Sequence, residues 1–219
     1  MSHRKQNRRA MLSVMGAAAA GVALAAAPSR AQTPTAAPVA RGTFTPAHHK
    51  EDEWLDTLPG KHRVFIDSAS NKGGSDAALY ASNLFMANKS GYGLEDGDIA
   101  TVVCFRHYST IFGYNNAMWA KYGATIAKSS EYTMPNSAEP TTNPMRSIDA
   151  LAKRGVHFAV CGMATRRIAS LIATATGGKT DEILKELSDN LVANGHLAAA
   201  GVVATTRAQE YGYSLLVAG

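Results

Sequence analysis

The sequence predicts one α/β domain, a three-layer α/β/α sandwich around a mainly parallel five-stranded sheet. Three observations carry that expectation. After Lys61, five short apolar runs, of the kind that strands buried on both faces require, alternate with segments of helical periodicity. Only two cysteines, Cys104 and Cys161, occur, too few for a disulfide framework, so packing must hold the core. The roughly 160 residues after Pro59 suffice for a single domain that buries most of its apolar surface.

Taken in order, residues 1–31 read as an export signal. Arg4, Lys5, Arg8 and Arg9 form a basic stretch, Met11 to Ala27 an apolar run, and Ser29-Arg30-Ala31 a small-x-small cleavage site. The adjacent arginines before an Ala/Gly-rich segment point to the twin-arginine translocase as the export partner and to a periplasmic destination. The apolar run is shorter than the roughly 20 residues of a spanning helix and is stopped by Pro28, so no stable membrane anchor is expected. Of 22 basic and 17 acidic residues, five basic and no acidic ones lie in this segment, which leaves 17 of each after cleavage. The basic excess therefore belongs to the signal, and no nucleic acid partner is expected.

Residues 32–59 are expected to be a linker. Up to Lys50 they are rich in Pro, Thr and Ala without periodicity, with His48-His49 near the end. A short helix is expected over Glu51 to Leu58, with Trp54, Leu55 and Leu58 on one side and Pro59-Gly60 as its stop. The domain proper is residues 60–219. Its strands are expected at Val64 to Ile66, Ile99 to Phe105, Val156 to Val160, Val202 to Thr205 and Ser214 to Val217. The first helix is expected over Asp76 to Lys89, with Ser75 as N-cap after Gly73-Gly74. Asn143 and Pro144 are expected to open another, carrying Ile148, Leu151 and Ala152. A further helix carries Ile183, Leu184, Leu187, Leu191 and Val192 up to Asn194-Gly195. Between them, Ser129 to Asn143 forms a long irregular loop.

Open parallel sheets meet their ligands at the carboxyl ends of the strands. Cys161 ends the third strand there, and a helix starting near Ala164, with Arg166 and Arg167 behind it, favours thiolate by aiming N–H groups at the sulfur. A small buried hydrophobe is the alternative. His107 follows the second strand, flanked by Arg106 and Tyr108, a cluster suited to binding an anion or exchanging a proton, or else an ordinary loop histidine. Tyr114, Asn115, Asn116 and Trp119 either line the same pocket or form an oligomer contact. Gly73 and Gly74 form a glycine loop able to hold an anion on its N–H groups, or a plain strand-to-helix turn. Cys104 is expected in the core, facing opposite to Phe105, and its pairing with Cys161 is left open. His48-His49 lack a surrounding ligand framework, so no metal site is expected, and the missing dinucleotide, Walker, HExxH and nucleophile-elbow motifs give no reason to expect a cofactor.

Four segments in order resemble the DsrE-like family of small α/β proteins, over residues 61–219. They are Val64-Phe65-Ile66-Asp67 leading to Asp76-Ala77-Ala78, Val102-Val103-Cys104-Phe105 running into Arg106-His107, Leu151 to Gly162, and Ala208-Gln209-Glu210-Tyr211-Gly212-Tyr213 before the last strand. The resemblance implies a Rossmann-like fold and assembly into a homo-oligomer. In the family's sulfur-relay members a cysteine at the end of the third strand accepts sulfane sulfur, which implies that role for Cys161, trailed by the basic Arg166 and Arg167. The export signal and Arg106-His107-Tyr108 depart from the cytoplasmic relay members. The expectation is therefore an exported protein that binds a small sulfur-containing or anionic ligand through Arg106, His107, Tyr108, Gly73, Gly74 and Arg166 beside Cys161. The alternatives are a persulfide carrier acting through Cys161 and a metal or haem carrier using His107 with Cys161 or Cys104.

Overall fold

The computed structural model describes residues 44–133 and 141–219. The export signal, the linker through residue 43, and residues 134–140 of the long loop lie outside the described residues. Five parallel strands, β1 (His62–Ser68), β2 (Ile99–Phe105), β3 (His157–Cys161), β4 (Gly195–Ala198) and β5 (Ser214–Ala218), form one sheet in the order β4-β3-β2-β1-β5. β2 is the middle strand and all seven of its residues are buried, which is why it reads as an unbroken apolar run.

Helices cover both faces. On one lie α2 (Asn71–Tyr92), α3 (Asn116–Ser129), α4 (Ile148–Lys153), α5 (Gly162–Thr176) and α6 (Thr180–Asp189), packed on Ile66, Val103, Phe105, Phe158 and Val160. On the other, α7 (Gly201–Glu210) and α1 (Trp54–Thr57) cover Phe65, Val102, Cys104 and Ala159. Alternation along each strand divides the core between the two faces.

Several elements differ from the sequence-based expectation. The stretch Val202 to Thr205, expected as a strand, lies inside α7, and the fourth strand is the earlier Gly195–Ala198. β-branched composition is a weak local preference, and here the small Ala204 and Ala208, one turn apart, seat a helix on the sheet instead. The first long helix begins at Asn71 rather than after Ser75, and its N-cap is Ser70, whose hydroxyl accepts the Gly73 N–H at 2.8 Å. Gly73 and Gly74 thus lie in the first helical turn. A Cβ would stand 2.6 Å from the Ala218 carbonyl oxygen at Gly73 and 2.6 Å from the Phe112 ring at Gly74, so close backbone approach explains both glycines. Helix α4 begins at Ile148. Asn143 instead pins the preceding turn, its side-chain amide donating to the carbonyls of Phe112 and Tyr114 at 2.8 Å each.

The last part of the linker is docked rather than loose. Leu55 is fully buried, the Tyr213 hydroxyl donates to its carbonyl at 2.7 Å, and Arg63 donates to both Asp56 (3.0 Å) and the Tyr211 carbonyl (2.8 Å). His48 stacks on Tyr211 at 4.1 Å. Among the described residues no helix is long and apolar enough to cross a membrane.

Candidate functional site

The topology dictates where a cleft opens. From β1 through β4 every connection crosses the α2–α6 face, whereas the return from β4 to β5 crosses the other face through α7. The neighbouring strands β3 and β4 therefore send their chains apart at their carboxyl ends, and a crevice forms between the departing segments. A cavity of about 350 Å³ occupies this position. Cys161, Met163, Ala164 and Arg167 line it from the β3–α5 junction, Arg106 and His107 from the end of β2, and Ala200, Gly201 and Val202 from the start of α7.

Cys161 is the N-cap of α5, and its Sγ accepts the Ala164 N–H at 3.5 Å. It is only 7% exposed, and the residue lines the cavity. The second and third strands thus bring Cys161 and His107 to one rim. His107 adopts φ 55°, in the left-handed region that non-glycine residues seldom occupy, and is exposed at the mouth.

Arg106 is fixed from below. Its Nε and Nη2 donate to the two carboxylate oxygens of Asp67 at 2.7 and 2.8 Å, and Asp67 is 5% exposed. This paired geometry holds the planar guanidinium in one orientation and keeps it protonated. A Cβ at Gly201 would collide with the Arg106 Cβ, so only glycine lets α7 start this close to the arginine.

Two helices, α5 and α7, begin at the cavity, each presenting N–H groups and the positive end of its dipole. Neither has a carboxylate cap. Arg167 adds a second basic side chain to the lining; it also borders a neighbouring cavity of about 470 Å³, where its guanidinium donates to the Ser129 carbonyl at 3.1 Å. No carboxylate is among the described residues that line the cavity, and Asp67 beneath it is committed to Arg106. The crevice is therefore electropositive.

Other residues named from the sequence lie elsewhere. Arg166 turns outward to pair with Asp181 at 3.1 Å, and Arg167 holds the position expected of it. The helix explains the exchange, because Arg167 follows Ala164 by three residues and shares its face. Tyr108 packs against the His107 ring and donates to Glu131 at 3.3 Å, outside the cavity lining. The N–H groups of Gly73 and Gly74 are bonded to the Ser70 hydroxyl and carbonyl, so they are not free to hold a ligand. Tyr114 and Trp119 are core residues, and Asn115 and Asn116 line a separate cavity of about 540 Å³ with Asn143 and Arg146. Asp67 and Gly201 were not singled out by sequence reasoning.

Cys104 faces the α7 side, fully buried, and burial followed by the Asp67 charge pushes its thiol well up. Both cysteines are free thiols. Cys104 pairs with Ala159, two residues before Cys161, and such a diagonal offset separates Cα atoms by about 8 Å, beyond the roughly 7 Å that a disulfide spans. Among the described residues no three His, Cys, Asp or Glu side chains gather as metal ligands.

Comparison of the chain with protein-family models, with curated proteins and with solved structures finds no match. The functional reading consequently stands on the geometry of the crevice itself.

Proposed function

We propose that this chain is an exported, DsrE-like protein that binds a small anion, of the sulfur oxyanion or thiosulfonate class, in the crevice between the ends of β3 and β4. The observation that supports this most directly is the convergence of two helix N-termini and two arginines, Arg106 with its guanidinium oriented by Asp67 and Arg167, on one cavity of about 350 Å³. Calorimetric titration with thiosulfate, with sulfate as the comparison, tests it. Arg167→Ala is the cleaner variant, since Arg106→Ala also strands the buried Asp67. Expected is saturable thiosulfate binding that weakens about tenfold in Arg167→Ala and His107→Ala and falls further with added salt, while Cys161→Ser stays near the parent value. Absence of saturable binding for either anion would sink the reading.

A second reading, a persulfide carrier, is favoured by the presence of Cys161 among the residues that line the same cavity. In thiosulfate the Cys161 sulfur would attack the outer sulfur. A new S–S bond forms as the donor's S–S bond breaks, sulfite leaves with the electron pair, and the thiol proton passes to solvent. Intact mass after incubation decides this: a gain of one sulfur atom, reversed by reductant and missing in Cys161→Ser, supports transfer, and an unchanged mass leaves binding alone.

A further inference from the structure

The two edges of the sheet are finished differently. At β4 the edge strand is four residues long, begins with glycine, and has the Trp54 indole stacked on His196 at 3.9 Å and nearly parallel. Short length and a covering side chain are the usual protections of an edge. At β5 no such cover lies among the described residues. Among them Ser214–Ala218 pairs only with β1, leaving one row of backbone N–H and C=O groups unpaired by any described strand. The strand has no charge, proline or bulge, the devices that ordinarily discourage pairing with another chain.

The surface beside it is also apolar. Leu215, Leu216 and Val217 on β5, with Leu79, Tyr80 and Met86 on α2, make up six of the twelve large apolar side chains exposed among the described residues. Helix α2 packs along β5, its start held to the end of the strand by Lys72 donating to the Gly219 carbonyl at 3.3 Å. The outer stripe of α2 through residues 72, 76, 79, 83 and 86 carries two charges, Lys72 and Asp76, which pair with each other. The patch is thus neutral throughout, with nothing for a charged partner to recognise.

From this we infer that β5 is the contact with a second copy of the same chain, joined antiparallel about a two-fold axis into a continuous ten-stranded sheet. A register centred on Leu216 sets Leu216 against its own copy and Leu215 against Val217. It keeps each side chain on its own face, because a two-fold perpendicular to the sheet preserves the faces. Leu216 lies opposite Ile66 across β1, on the α2 side, so the α2 stripes of both copies meet there, while Leu215 and Val217 join on the α7 side. The paired strands Ser214–Ala218 oppose no charges, since neither copy of the strand carries one. A stable pair needs about 600 Å² from each copy, and a five-residue strand with three large apolar side chains, flanked by three more on α2, is a surface of that order. The inference does not depend on the ligand of the crevice.

Sedimentation of the full chain at increasing concentration tests the pairing, with Val217→Lys and Met86→Glu as variants. Val217 is 68% exposed and Met86 62%, so neither change disturbs the core. Expected is a two-copy species whose dissociation constant rises at least about tenfold in each variant, with hydrogen exchange at Ser214–Ala218 slow in the pair and fast on dilution. A single-copy mass at all concentrations overturns the inference. So does a two-copy mass that both variants leave unchanged, or one in which β5 amides exchange freely.

Discussion

At the scale of single residues, the two thiols share a sheet face yet differ in access. Cys161 walls an open cavity, whereas Cys104 is sealed between β2 and α7 with its thiol pushed up by burial. A thiol reagent applied to the native protein is expected to modify Cys161 first, with Cys104 reacting only on unfolding. Peptide mass mapping of the labelled chain checks this, and equal labelling of both would contradict the packing around Cys104. Gly201 makes the second residue-level case. Gly201→Ala forces either the start of α7 or the Arg106–Asp67 pair to shift, which is expected to cost about 1–3 kcal/mol of stability and to weaken anion binding. Urea unfolding beside the thiosulfate titration reads both effects. An alanine variant with parent stability and affinity would mean that Arg106 is not held as described.

At the scale of elements, capping decides where α2 starts and so where the chain leaves β1. Ser70→Ala removes the hydroxyl that accepts the Gly73 N–H and is expected to destabilise the fold by about 1 kcal/mol, measured as a shift in urea midpoint without a change in slope. Ser70→Asp retains an acceptor and is expected to recover most of that loss. The same helix shows what the sequence could and could not disclose. Strands β1, β2 and β3 were legible because burial leaves continuous apolar runs, and β5 because its Leu-Leu-Val run is apolar although four of its five residues are exposed. β4 was not, since a four-residue edge strand that includes Gly195 and His196 carries no such run. The start of α2 was misplaced because Gly73-Gly74 reads as a loop, and the reason for those glycines, contact with Ala218 and Phe112, is distant in sequence. Within the crevice, Cys161, Arg106 and His107 were legible as strand-end residues. Arg167 was separable from Arg166 once the helix start was fixed, by its three-residue spacing from Ala164. Asp67 looked like one more polar residue after a strand, because its partner lies 39 positions away.

At the scale of the whole molecule, the docked linker and the sheet are held together at one point by histidines. His157 of β3 and His196 of β4 approach ring nitrogen to ring nitrogen at 2.8 Å, and Trp54 of α1 stacks on His196. One nitrogen must donate and the other accept, which suits a neutral pair. Burial pushes both imidazoles down, His196 to about 4 with the neighbouring His157 as its second cause. Since their folded values lie below the unfolded value near 6.5, the unfolded chain binds more protons in between. The pair's contribution to stability is therefore complete above about pH 6.5 and is lost as pH falls toward 4. Both rings are partly exposed, so solvent screening reduces the effect to on the order of 1–2 kcal/mol. Urea unfolding at pH 7 and at pH 4.5 is expected to show that loss in the parent chain and a smaller one in His196→Gln. The linker should loosen with it, since protonated His196 repels His157 and pays desolvation beneath the indole, and Trp54 fluorescence provides an independent report. Identical pH dependence in the parent and His196→Gln would assign the acid sensitivity to other groups, among them Asp96 and Glu186, whose pairs with Arg154 and Lys121 keep their carboxyls below the usual range and so yield only at lower pH.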